Sequence, residues 1–246
     1  MNPGTIPNGL LLPKKRQCDS CDSRSCIVRR FCSAEWRVFL SKYKSTYSIP
    51  AGNIIFAKGD PVEGIYCVYS GYIKVSEFDD RSEKIVDLIK GGEILGYRGL
   101  GNKSTEYTVS AQTLSDSEIT FFPMEIFRLA IEANKKLSSF IIDLLKGKLK
   151  NIERRSSNCT NLQAKEKIRF AIREMIVSFG LKRNDNKLKF TLSRKDIASL
   201  AGTTYETVIR VLSEFDKQQA LSIEGKSIRI LDTEYFDVDS NGQGKS

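Results

Sequence analysis

At 246 residues the chain can bury a core of its own, as one large domain or two smaller ones, and needs no disulfides to hold it together. Its 39 Lys and Arg outnumber 30 Asp and Glu for a net charge of +9, which suits a polyanionic partner. Histidine is absent, so Ser-His-Asp and Cys-His catalysis are excluded, and any metal site must be built from Cys, Asp, Glu or backbone. With no phosphate loop and no nucleophile-base pair either, the sequence does not read as an enzyme.

The opening stretch MNPGTIPNGLLLPKKRQ carries its charges after its short apolar piece and lacks a small-residue cleavage site. Apolar runs such as SFIIDLL are too short to span a bilayer. A soluble, cytoplasmic protein with no membrane partner is expected. Next come Cys18, Cys21, Cys26 and Cys32, spaced C-x2-C-x4-C-x5-C. In a reducing cytosol such thiols read as metal ligands or redox sensors before structural disulfides. Four thiolates suit an iron-sulfur cluster and structural zinc equally well. The neighbouring Arg24, Arg29 and Arg30 are expected to lower the thiol pKa values and to offset thiolate charge.

Trp36, Phe39, Leu40 and Tyr43 then recur at helical spacing behind Ser33 as N-cap, and read as core residues. From Ile49 to about Pro123 the pattern turns to short β-like runs punctuated by Gly, Asp and Asn. With no helix between them long enough for a crossover, they predict an antiparallel roll or barrel. Cys67 lies in one of these runs, GIYCVYSG, and reads first as a small buried hydrophobe. Beyond Pro123 a helix is predicted through MEIFRLAIEANKKLSSFIIDLLKGKLKNIERR. Its Phe140, Ile141, Leu144, Leu145, Leu149 and Ile152 form a stripe to bury against the roll or against a second copy of the chain. SSNCTN reads as a hinge, with Cys159 incidental, and a further helix ends at Gly180 in the manner of a glycine cap.

The most specific stretch is FTLSRKDIASLAGTTYETVIRVLSEFDKQQALSIEGKSIRILD, residues 190 to 232. Ser193 with Asp196 caps one short helix, whose apolar face is Ile197, Leu200 and Ala201. Gly202 makes the turn, and Thr203 with Glu206 repeats the capping arrangement. In the second helix Val208, Val211, Leu212 and Phe215 face inward and leave Thr204, Tyr205, Glu206, Ile209 and Arg210 outward. Glu206 and Arg210, one turn apart, have the chemistry to read cytosine N4 and guanine O6 and N7 in a major groove. ALSIEGKSIRIL follows as a hairpin wing. A surface Glu206–Arg210 ion pair on an ordinary helical hairpin would explain the two helices but not the wing, so a winged helix-turn-helix is predicted. Its candidate DNA-binding residues are Arg194, Thr204, Tyr205, Glu206, Thr207, Ile209 and Arg210.

LSRKDIASLAGTTYETVIRVLSEF resembles the helix-turn-helix of the CRP/FNR family of bacterial transcription regulators. IPAGNIIFAKGDPVEGIYCVYSGYIKV and GGEILG resemble that family's cyclic-nucleotide-binding roll. The resemblance runs from about Trp36 to Asp232. It implies a homodimer that binds a palindromic operator in double-stranded DNA and contacts RNA polymerase. Members that sense cyclic AMP hold its phosphate with an Arg-Ser pair, where EYTVSAQTL offers Tyr107 and Thr108 instead. Cyclic-nucleotide sensing is therefore not expected, although Arg98 and Lys103 stand nearby. Many FNR-like members carry Glu-x-x-Ser-Arg in the second helix, and Ile209 replaces that Ser, which favours a thymine methyl at that position.

FNR-like members also sense oxygen through a cluster on N-terminal cysteines, which puts a 4Fe-4S cluster on Cys18, Cys21, Cys26 and Cys32 ahead of zinc or no metal. The family takes one ligand late in the roll, where SDSEITFFP has no cysteine. The fourth thiolate is assigned to Cys32, with Cys67 the alternative. The competing expectation is a regulator sensing a small molecule in the roll, its cysteines holding zinc or forming a disulfide switch.

The expected fold class is α+β: an antiparallel β-roll, a long dimerisation helix and a winged helix-turn-helix. The expected divisions are a cysteine-rich segment at 1–34, the roll at 35–123, the dimerisation helix and hinge at 124–158, the DNA-binding domain at 159–236 and a disordered tail at 237–246.

Overall fold

The computed structural model of the chain describes residues 12–13, 18, 21, 23–79, 82–100, 105–159 and 163–237, without side chains at 12–13 and 153–159. Most of the tail, Lys103, and the side chains of Arg154, Arg155 and Cys159 therefore lie outside the described residues. The chain divides into two compact units: Met1–Phe78 with Ile89–Asn151, and Asp79–Leu88 with Ile152–Ser246.

In the first unit, the five-residue helix α1 (Ile27–Phe31) begins the cysteine-rich region. Helix α2 (Ala34–Tyr43) follows at once, its N-cap Ser33 accepting from Trp36 N–H. Only Leu40 of its apolar residues is fully buried, and Tyr43 stands 47% exposed. The sheet then starts earlier than predicted: β2 (Ser45–Ile49) lies between β1 (Leu12–Pro13) and β9 (Ser117–Pro123). Thr46 and Tyr47 are buried there, and the β-branched Thr46 suits a pleated strand.

The remaining strands fall on the predicted runs: β3 (Ile54–Phe56), β4 (Gly64–Ser70), β5 (Tyr72–Phe78), β6 (Glu83–Lys90), β7 (Ile94–Leu95) and β8 (Ser110–Thr113). They form antiparallel sheets ordered β1-β2-β9-β4-β7 and β3-β8-β5-β6. Phe56, Tyr66, Tyr107 and Phe121 meet between them, the Phe56 and Tyr107 rings stacking at 3.9 Å. Strand β4 is buried continuously from Gly64 to Val68 rather than alternately. Both of its faces are covered: Tyr66 points into this aromatic interior, while Ile65 and Cys67 join a second cluster with Cys18, Ile27, Val28, Cys32, Leu40, Phe122 and Phe127.

The helix predicted from Met124 onward is interrupted. α3 (Met124–Ala133) stops at Asn134, and α4 (Lys135–Cys159) restarts directly after it. Asn134 is buried, its Oδ1 accepting from Ser33 N–H at 3.0 Å and its Nδ2 donating to Ala130 O at 2.8 Å. An Asn side chain that serves the backbone in this way competes with helical continuation. α4 continues through Cys159, so the first four residues of the predicted hinge, Ser156 to Cys159, are helical.

In the second unit α5 (Ala164–Phe179) ends on Gly180 at φ 81°, as predicted. α6 (Arg194–Ala201) and α7 (Tyr205–Lys217) then lead into the hairpin β10 (Leu221–Glu224) and β11 (Ser227–Ile230). Ile172, Ile176, Ile197, Val211, Phe215, Ile228 and Phe236 make its core. Among the described residues no helix is long and apolar enough to cross a membrane.

Candidate functional site

The second unit presents a helix end. Ser193 Oγ accepts from Asp196 N–H at 3.1 Å and starts α6. Gly202 closes it in the left-handed region at φ 62°, ψ 48°, a conformation that glycine adopts without strain. The cap of α7 is Thr204, accepting from Thr207 N–H at 3.3 Å, and not Thr203: the helix begins one residue later than the capping pattern suggested. Val208, Val211, Leu212 and Phe215 are buried, as predicted. On the opposite side Thr204, Glu206 and Arg210 are exposed, with Tyr205 at 45% and Ile209 at 44%; Thr207 and Arg194 are half-buried. The first turns of α7 thus offer an acid, a guanidinium, an aromatic and an apolar side chain together.

The wing turns on Gly225 and Lys226 between Glu224 and Ser227, with Gly225 at φ 60°, which fits a turn that needs Gly at its first central position. Glu224 receives Lys187 at 3.0 Å and Arg229 at 2.7 Å, so it ties both strands of the hairpin to the loop before α6. These cations hold its carboxyl below the usual carboxylate range.

The first unit holds the thiols. Cys18 donates its N–H to Ser41 Oγ on α2, and Cys26 occupies the N-cap of α1. Ser25 packs where a Cβ on Gly92 would sit, 2.6 Å from it, so the cysteine segment lies directly on the turn between β6 and β7. Cys18, Cys21, Cys26 and Cys67 line one cleft with Lys44, Glu93, Thr120 and Phe122. Cys32, at the other end of α1, does not line it.

The arginines do not act on the thiols as expected. Arg29 donates to Cys21 O, and Arg30 lies over the Phe31 ring at 4.8 Å. Burial instead raises the Cys26 thiol, pushes Cys32 up to about 12 and raises Cys67 well above its usual value. After burial, the charges that Cys67 feels are those of Cys26, Cys18 and Cys32, with Lys44 acting in the opposite sense. Among the described residues no three His, Cys, Asp or Glu side chains stand close enough to hold a metal ion as they are. The donor set nevertheless fits a thiolate-bound group: soft sulfur ligands share one cleft beside a cation, with no competing carboxylate except Glu93.

The predicted helix stripe divides. Ile141 is buried and Phe140 and Leu144 pack on the chain's own cluster, Phe140 stacking on Phe31 at 4.5 Å. Leu145, Leu149 and Ile152 are exposed, and Ile142, which sequence reasoning missed, joins them; their exposures lie between 41% and 57%. The one stripe is therefore two faces, because Phe31 already covers the Phe140 side. Residues 142, 145, 149 and 152 repeat in steps of three, four and three, the spacing of a coiled-coil seam, and that signal was available in the sequence. Asn134 and Lys44, also missed, gain their roles only from partners distant in the chain.

Residues 47–134 match the cyclic nucleotide-binding domain family, and residues 171–236 match the Crp-like helix-turn-helix domain family. Among curated relatives, the anaerobic regulatory protein of Pasteurella multocida is 26% identical over 87% of this chain and 79% of its own length. The fumarate and nitrate reduction regulatory protein of Vibrio cholerae is 25% identical over 87% and 86%. The solved structure of FixK2 from Bradyrhizobium japonicum covers 80% of this chain and 98% of its own, with a TM-score of 0.69 at 19% identity, a likeness of fold. With a nucleotide-binding-type roll, a Crp-like helix-turn-helix and relatives that are regulators along most of their length, the chain belongs to the CRP/FNR family of DNA-binding transcription regulators, whose members typically bind DNA as dimers.

Proposed function

We propose that this regulator binds a palindromic operator as a homodimer, and that a 4Fe-4S cluster on its N-terminal cysteines, destroyed by oxygen or nitric oxide, controls that binding. The observation that carries the reading is the convergence of Cys18, Cys21, Cys26 and Cys67 on one cleft in a chain that has no histidine. The names of the relatives, regulators of anaerobic metabolism and of fumarate and nitrate reduction, support it. The competing ligand-sensing reading loses support from the roll, where Tyr107 is buried, stacks on Phe56 and donates to Gly64 O at 2.9 Å.

When bound, the cluster supplies iron for thiolates to ligate and a target for oxidants. Cys18, Cys21 and Cys26 would hold it beside α1, and Lys44 would offset part of the thiolate charge. α1 then holds Phe31 against Phe140, while Ser33 N–H holds Asn134 at the start of α4. That braces the helix whose Ile142, Leu145, Leu149 and Ile152 face a second copy. Each is about half exposed, so covering it contributes on the order of 1 kcal/mol. Four from each copy offer roughly 8 kcal/mol, against an association cost of about 4–15 kcal/mol. A seam that close to balance can be decided by how well the helix is braced.

In the dimer, Glu206 and Arg210 contact bases, Ile209 a thymine methyl, and Arg194, Thr204, Tyr205 and Thr207 the backbone or flanking bases, with the two α7 helices in successive major grooves about 34 Å apart. The divisions expected from the sequence are kept, with the dimerisation helix running to Cys159; the protein acts in the cytoplasm and contacts RNA polymerase, as its family implies. The test is fluorescence anisotropy with a two-fold symmetric DNA selected from a random pool. Cluster-loaded protein should bind at least ten-fold tighter than the metal-free form, and equal affinities would reject cluster control.

A further inference from the structure

The geometry points to Cys67, on the central strand β4, as the fourth thiolate of the cluster, in place of Cys32. This deepens the reading above and rests on it. Cys67 lines the same cleft as Cys18, Cys21 and Cys26, and Cys32 does not. Cys26 and Cys32 cap opposite ends of α1. Six residues at 1.5 Å rise separate them by about 9 Å along the axis, and they lie on different faces. Drawing Cys32 round into the cleft would disturb Ile27 and Val28, both at most 1% exposed, and the Phe31–Phe140 stack.

Cys67 needs no such cost. Its strand is held on both sides, facing Thr120 on β9 and Ile94 on β7, so its sulfur is a fixed point in the cleft. Cys32 shares the second cluster with Cys18 and Cys67 but lies outside the lining of the cleft. On ligation each of the four thiols gives its proton to solvent as the S–H bond is replaced by a bond to iron, with no change in sulfur oxidation state. Lys44, in the same cleft, faces the charge so formed.

The test compares wild type, Cys67→Ala, Cys32→Ala and the double variant Cys67→Ala with Thr120→Cys, all purified without oxygen. Iron, acid-labile sulfide and the visible spectrum are measured on each, with circular dichroism as a check of folding. Thr120 lines the cleft directly across from Cys67, so a thiol there restores the ligand from the neighbouring strand. The expected result is wild-type iron in Cys32→Ala, at least a ten-fold loss in Cys67→Ala, and recovery in the double variant, which a merely unfolded Cys67→Ala would not show. Loss in Cys32→Ala with retention in Cys67→Ala, or loss in both without rescue, would overturn the assignment and leave the cluster reading standing. Wild type without iron would overturn both.

Discussion

Phe31 and Phe140 stack with their centroids 4.5 Å apart and their planes inclined by 22°, which joins the helix that Cys26 and Cys32 cap to the helix that carries the exposed seam. The joint lies one helix length from Cys26, so movement of that cysteine is felt at Phe140 through α1. An offset aromatic pair contributes about 0.5–1.5 kcal/mol beyond its buried area. That is enough to shift a near-balanced dimer several-fold.

Replacing Phe31 with Ala should therefore separate sensing from response. Iron content should be unchanged, stability should fall by about 1–3 kcal/mol, and the affinity difference between loaded and metal-free protein should shrink by about five- to ten-fold. Iron analysis and DNA anisotropy on the same sample check this. An undiminished difference would show that the coupling runs elsewhere.

Leu149→Arg places a charge in the seam at a residue 57% exposed in the single chain. Folding should be nearly unaffected, within about 0.5 kcal/mol, while sedimentation should show a monomer even in loaded protein. Phe140→Ala, on the other face, should lower the melting temperature first. If Leu149→Arg still dimerises, the seam is not where copies meet.

Arg210→Ala should cost about 1–3 kcal/mol of operator binding and relax preference at one base pair. Substituting the exposed Lys226 of the wing should weaken all sequences alike and reduce the salt slope by about one. Binding across a library of operator variants, at two salt concentrations, distinguishes the two. Equal losses on every sequence for Arg210→Ala would remove it from base reading.

Tyr107 and Thr108 stand where an Arg-Ser pair would hold a cyclic nucleotide's phosphate, so cyclic AMP should leave the melting temperature unchanged, since a ligand stabilises only a state that binds it. Tyr107→Phe should cost about 1 kcal/mol for the lost bond to Gly64 O. A rise in melting temperature with added nucleotide would restore the ligand-sensing alternative.

Local signals were readable before any coordinates. Ser193 with Asp196, Gly202, Gly180 and the alternating runs of the roll each act within a few residues, and the elements they mark are present. The start of α7 slipped by one because Thr203 and Thr204 are equally good caps, and only the position of Thr207 N–H decides between them. The break at Asn134 was hidden because its partner Ser33 lies 101 residues away. Cys67 looked like an ordinary core residue for the same reason. Its neighbours in the cleft come from the cysteine segment, from Lys44 and from β9, and pattern along the chain says nothing of that meeting.

The most direct measurement is metal and sulfide analysis with a visible spectrum on wild-type protein purified without oxygen, repeated after admitting air. Iron and sulfide in equal amounts, with a brown absorption band that bleaches in air and DNA binding that falls with it, is the predicted result. Zinc, or no metal and no change in air, would contradict cluster control and leave the thiol cleft a structural or disulfide-forming feature.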